Sequence, residues 1–162
     1  MPLVLDGNGD ITGLVAGALP SNVIGAGAVL QVVQATSTTS TATTSGSYVD
    51  SGLSTSITPT SSTSRILVLV NQQIRGSGRA DPGFGIRLVR DSTTVLSRDD
   101  GAAAAYVNAT DLRYAYSIVY LDSPATTSST TYKTQFNSYA SGTITAQNSS
   151  IPSTITLMEI AA

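Results

Sequence analysis

Apolar residues recur at every second position in this chain, run after run, and no stretch of 12 or more residues carries a helical period. That pattern constrains the fold more than anything else in the sequence, because a period of two places alternate side chains on opposite faces of a strand. "RILVLVNQQIR" (65–75) is the strongest run: Ile66 to Val70 are apolar on both faces, which predicts a central strand whose Gln-rich end emerges from the core. In "FGIRLVR" (84–90) Phe84, Ile86 and Leu88 share a face. "LRYAYSIVYLD" (112–122) does the same with Leu112, Tyr114, Tyr116, Ile118 and Tyr120. "TYKTQFNSY" (131–139) sets Tyr132 and Phe136 against Lys133, Gln135 and Asn137. A slip of one residue would reverse these faces, so the register is strongly specified.

Further runs are "AVLQVVQA" (28–35), "GLSTSITP" (52–59), "TTVLSRD" (93–99), "GTITAQ" (142–147) and "TITLMEI" (154–160), about nine strands in all. Three hydroxyl-rich stretches, 36–47, 58–64 and 123–131, read as loops or irregular strand edges, with "RDST" and "DSP" as turns. Many short strands between turn residues predict an all-β, antiparallel β-sandwich, jelly-roll-like, over residues 28–162. Residues 1–27 differ, being rich in Gly and small aliphatics without sustained alternation, and are expected to form an extended N-terminal arm. Ordering such a segment costs much conformational entropy, so its apolar residues Leu3, Val4, Leu5, Ile11, Leu14, Val15, Leu19, Val23 and Ile24 are the candidates for docking onto another surface.

Composition narrows the function. The chain has 162 residues, enough for one ordinary domain with a real core. Only 11% are charged, against about 25% in typical soluble proteins, and Ser and Thr together exceed a quarter. The hydrophobic fraction of 41% argues against disorder. A net charge of −2, with single scattered Arg and Lys, supplies no basic stripe for phosphate, so nucleic acid is not an expected partner. The N-terminus has Asp6 and Asp10 where a secretory signal would be cationic, and no export peptide is expected. Residues 13–30 approach the length of a membrane span, but Pro20, Ser21 and Asn22 at the centre argue against insertion.

Chemistry is sparse. Without His or Cys, the Ser-His and Cys-His nucleophile systems cannot be built, and no thiolate metal site or disulfide exists. Glycoside cleavage needs only two carboxylates, which brings Asp99, Asp100 and Asp111 forward, yet "SRDDGAAAAY" reads as a hairpin tip. "LDGNGDITGL" opens like a calcium loop with Asp6, Asn8 and Asp10 at alternate positions. An EF-hand, however, needs glycine at position 6 and glutamate at position 12, where Ile11 and Gly17 stand. "GSGRAD" (76–81) and "GAGAVL" (25–30) lack the rest of a phosphate loop, and "NAT" (108–110) is a glycosylation acceptor only in a eukaryotic secretory setting. No catalytic residue, metal or cofactor is expected. The tyrosines Tyr114, Tyr116 and Tyr120 are assigned to core or interface.

The succession "LQVVQATSTTST", "SYVDSGLSTSITPTSSTSRILVLVNQ", "RLVRDSTTVLSRDD", "YLDSPATTSSTTYKTQF" and "IPSTITLMEI" resembles a β domain recurrent in virion proteins of tailed bacteriophages, particularly those of cyanobacteria and other aquatic bacteria. The resemblance covers about residues 28–160, and "PLVLDGNGDITGL" also looks like the start of such tail-fibre-like proteins. It implies a non-enzymatic, commonly homotrimeric module on the outside of the particle, docked through its N-terminal segment to capsid, neck or tail proteins. The chain departs from long fibres in having no heptad, collagen-like or β-helix shaft, which suits a capsid decoration (cement) protein or a short fibre. The alternative from another class is a carbohydrate-binding module, or a receptor-binding adhesin or tailspike domain, with a host-surface glycan as its partner. Exposed Tyr and the Asp99–Asp100 tip would then face sugar.

Overall fold

A computed structural model describes residues 4–5, 11–12, 25–78, 82–98, 111–139 and 142–162. Its strands are β1 (Val4–Leu5), β2 (Ile11–Thr12), β3 (Val29–Ser37), β4 (Thr41–Thr43), β5 (Val49–Ile57) and β6 (Arg65–Ser77) in the first half. They continue as β7 (Phe84–Arg90), β8 (Thr93–Arg98), β9 (Asp111–Asp122), β10 (Thr130–Ser138), β11 (Thr143–Ala146) and β12 (Ser153–Ile160). Every one of the nine expected strands is present, with ends within three residues of those read from the sequence. The hydroxyl-rich stretch 36–47, read as loop or irregular strand edge, contributes β4 to a sheet edge, and one feature departs from expectation: the N-terminal segment contains a local antiparallel pairing of β1 with β2.

Two antiparallel sheets form the body, a β-sandwich. The smaller has the order β5-β10-β7-β8. The larger is built around β6, which pairs along one edge with β9 from Ile66 to Ser77 and along the other with β12 (residues 65–71) and then β11 (residues 74–77). Outside β12 and β11 lie β3 and β4 respectively. β6 is long enough, at 13 residues, to carry two successive partners on one edge, which is why the apolar run around Val68 reads as central.

The core follows from the alternation. Ile66, Val68, Val70 and Ile74 of β6, Ile118, Ile144, Ile155 and Leu157 face Leu53, Ile57, Phe84, Ile86, Leu88, Tyr132 and Phe136 of the smaller sheet. All are essentially excluded from water, and burial of such side chains contributes roughly 1.5–3 kcal/mol each relative to exposure. The Phe84 ring meets Tyr114 at 5.6 Å and Tyr116 at 6.1 Å between centroids, seating β7 over β9. The tyrosines of β9 thus pack against the core with their edges partly in solvent.

The expectation that the Gln-rich end of β6 leaves the core is overturned at Gln72, which is fully buried. Its side chain shares the inward phase of Val70 and Ile74. A hydrogen-bond chain makes that burial tolerable: Thr134 Oγ1 donates to Gln72 Oε1 at 2.7 Å, Gln72 Nε2 donates to Ser153 Oγ at 3.0 Å, and Thr134 Oγ1 meets Ser51 Oγ at 2.6 Å. Gln147 closes the chain with its amide oriented by its neighbours, the oxygen turned to accept from Gln72 Nε2 and Ser153 Oγ and the nitrogen to donate to the carbonyls of Thr39 and Ser51. Polar groups at the centre of the sandwich therefore join the sheets without unmet donors along this line.

Candidate functional site

The outward face of the larger sheet holds the features that the fold does not use. Because the pairing is antiparallel and in register, side chains of the same phase line up across strands. Leu121 of β9 stands opposite Leu67 of β6, Leu67 opposite Met158 of β12, and Met158 opposite Val32 of β3. The result is an apolar row across four strands, flanked by Val119 beside Leu69 on one side and by Ile160 beside Val29 on the other. Val119 is 71% exposed, Val32 55%, Val29 54% and Leu121 41%, while Leu67, Leu69, Met158 and Ile160 between them are half-buried. These residues form one contiguous apolar patch on the sheet face rather than scattered single exposures.

Moving along the strands away from that row, the same face turns polar at Asn71, Gln73, Ser117, Thr154, Thr156 and Gln34. It ends at two arginines placed directly opposite each other, Arg75 on β6 and Arg113 on β9. Asp111 serves both. It accepts from Arg75 Nε at 2.9 Å and Nη2 at 2.8 Å, and lies 3.9 Å from Arg113 Nε. The bidentate hydrogen bond from Arg75 holds the Asp111 carboxyl below the usual carboxylate range. Beside the pair, the chain passes from β11 to β12 through a 3-10 turn at Asn148–Ser150, and Gln73, Ile74, Arg75, Arg113, Asn148 and Ile151 line a hollow of about 20 Å³.

Elsewhere two buried carboxylates, Asp122 and Glu159, are structural. Asp122 is buried and accepts from Tyr132 Oη at 2.7 Å and Arg90 Nη1 at 2.8 Å, tying β9 to β10 and β7. Burial, reinforced by the Asp122 carboxylate, pushes the Tyr132 phenol well above its ordinary value. Glu159 is buried too. Burial by itself would raise its carboxyl, but hydrogen bonds from Gln31, Ser64 and Thr60 outweigh it and hold the group below the ordinary range.

The candidates raised by sequence fare unevenly. Asp111 is engaged by Arg75, while Asp99 and Asp100 lie outside the described residues, as do Asp6, Asn8, Asp10 and the Asn108 acceptor. Of the docking-arm residues, Val4, Leu5 and Ile11 lie in the paired short strands; Leu3, Leu14, Val15, Leu19, Val23 and Ile24 lie outside the described set. Among the described residues, no three His, Cys, Asp or Glu gather as metal ligands do, and no helix is long and apolar enough to cross a membrane. Sequence reasoning missed both parts of the outward face. The signal was present in the outward phase of β6, where Leu67 and Leu69 precede Asn71, Gln73 and Arg75, but the partners come from distant strands.

No family model and no curated protein matches the chain. Solved structures of infectious bursal disease virus are similar to it at low identity. The Gt strain structure has a TM-score of 0.39 and 15% identity, covering 82% of this chain and 38% of that one. The Gx strain structure has a TM-score of 0.38 and 16% identity, covering 82% and 37%. The VP2 subviral particle of the same virus has a TM-score of 0.38 and 14% identity, covering 82% and 38%. The chain thus spans less than two fifths of the length of the structures it matches.

Proposed function

We propose that this chain is an exposed structural component of a tailed-phage particle, a homotrimer of fibre-like or capsid-decoration (cement) type. In this reading, residues 1–27 dock it to capsid, neck or tail proteins, and the body stabilises the particle or mediates adhesion. The observation that carries the proposal is the apolar row Leu121–Leu67–Met158–Val32 with Val119 and Val29 exposed beside it. A second copy is the occupant the chemistry favours. Among the described residues around the row the only charge is Arg65, so two copies approach with little like-charge repulsion. The buried cost of an unpaired charge is likewise avoided. The resemblance to virion β domains, commonly homotrimeric, supports the same assignment, and so does a sandwich whose charged groups at Asp122 and Glu159 are committed to holding strands together.

Light scattering coupled to size exclusion tests it. The purified chain runs as a trimer, and the pair Val119→Asp and Val32→Asp shifts it to monomer with unchanged circular dichroism. A wild-type monomer at all concentrations overturns the proposal. Removing residues 1–27 abolishes attachment to particles and leaves the β signature intact; retained attachment overturns the role of the arm.

A further inference from the structure

The arginine end of the outward face has a different chemistry from the apolar row and asks for a different partner. Like charges directly opposite each other on neighbouring strands are unfavourable. Here Arg75 and Arg113 occupy such positions with a single carboxylate between them. Arg75 spends Nε and Nη2 on Asp111, leaving Nη1 facing Asn148 Oδ1 at 3.5 Å. Arg113 is 60% exposed and only 3.9 Å from that carboxylate, too far for a hydrogen bond, so its planar fork of donors stays open. The local balance of Arg75, Arg113 and Asp111 is one net positive charge in a chain whose net charge is −2.

The opposite wall is strained. Gln147, Ser149 and Ser150 all have positive φ, at 50°, 57° and 59°, a region that disfavours residues with a Cβ. The turn keeps this shape because Gln147 is anchored in the buried polar chain between the sheets. Strain maintained by surrounding structure is a feature of ligand-holding sites. Asn148 and Ile151 form that wall, and the hollow of about 20 Å³ between wall and arginines has room for one small polar group.

We propose that this hollow takes the carboxylate of an acidic saccharide, with the sugar ring lying outside it. The carboxylate binds the open fork of Arg113 and Nη1 of Arg75 through charge-assisted hydrogen bonds. Gln73, whose Nε2 donates to Asn71 Oδ1, and Asn148, whose Nδ2 donates to Ser149 Oγ, each keep a second amide hydrogen and acceptor capacity for ring hydroxyls, and Ile151, 39% exposed, offers an apolar contact to the C–H face of the ring. One net positive charge suits a singly charged carboxylate, while Asp111 beside the site disfavours a dianion such as a phosphate monoester. The site lies on one chain and does not depend on the structural role proposed above, so a monomeric protein would bind equally.

Titration of the full chain with methyl glucuronide and a methyl sialoside, followed by saturation-transfer NMR and calorimetry, tests the site. Methyl glucoside and acetate serve as the neutral and ring-free controls. At least one acidic sugar binds, the glucoside and acetate bind about tenfold or more weakly, and the affinity falls as salt rises. Arg113→Gln, which leaves the Arg75–Asp111 pair in place, loses about tenfold or more while Arg113→Lys loses less. Absence of binding by both acidic sugars, equal binding of glucoside or acetate, or an unaffected Arg113→Gln protein overturns the proposal.

Discussion

Gln72 is held by Thr134 and Ser153 in the middle of the sandwich, and its environment explains a specific vulnerability. Gln72→Leu would fill similar space yet strip Thr134 Oγ1 of its acceptor and leave Ser153 and Gln147 short of a donor, at a cost of about 1–3 kcal/mol. Urea denaturation reads that loss as a lowered midpoint with unchanged slope. Glu159 predicts a pH dependence. Its oxygens accept from Thr60 N and Oγ1 at 2.7 Å each and from Gln31 Nε2 at 2.6 Å, so its folded-state carboxyl titrates below the unfolded value of about 4.3. A depressed carboxyl contributes stability that is present above the unfolded value and lost as pH falls through the folded one. Glu159→Gln therefore lowers the melting temperature at pH 7, and the gap to wild type narrows below about pH 4. That Gln72 faces inward was legible in principle, since it continues the phase of Ile66, Val68 and Val70. Residue type pointed outward and position in the strand pointed inward, and position prevailed because Thr134 and Ser153 were there to satisfy it.

The hairpin of β7 and β8 turns at Asp91 and Ser92, in the "RDST" stretch that turn chemistry singles out. Asp91 has a φ of 52°, which Asp tolerates better than most residues, and its Oδ1 accepts from Thr131 N at 2.9 Å while its own N donates to Thr131 O at 2.8 Å. Asp91→Ala removes the acceptor and raises the backbone cost of that φ by about 1 kcal/mol, whereas Asp91→Asn retains both features. Thermal melts should rank wild type close to Asn and both above Ala. Strands and this turn were legible because alternation and turn residues are local properties. The short strand β4 was not. "TAT" is too short to show a period, and its place beside β11, with Ala42 opposite Thr145 at the edge of the larger sheet, is set by tertiary pairing.

Across the whole molecule, association through the outward face has a thermodynamic signature separate from its stoichiometry. If copies bury Val32 and Val119 together, unfolding is linked to dissociation and the melting temperature rises with protein concentration; Val119→Asp abolishes that dependence. Differential scanning fluorimetry over a hundredfold range of concentration checks it. Sequence alone determined that this chain is all-β, that its strands lie where the apolar alternation lies, and that Phe84, Ile86, Leu88, Tyr132 and Phe136 face a core, since each of these depends on spacing within one strand. Tertiary structure decided what stands beside what. Val32, Leu67, Leu121 and Met158 form one row, and Arg75 meets Arg113, only because β6 pairs with β9 on one edge and with β12 on the other. Strand order joins residues far apart in the chain, and it is set by how the two faces close over a shared interior rather than by any local pattern.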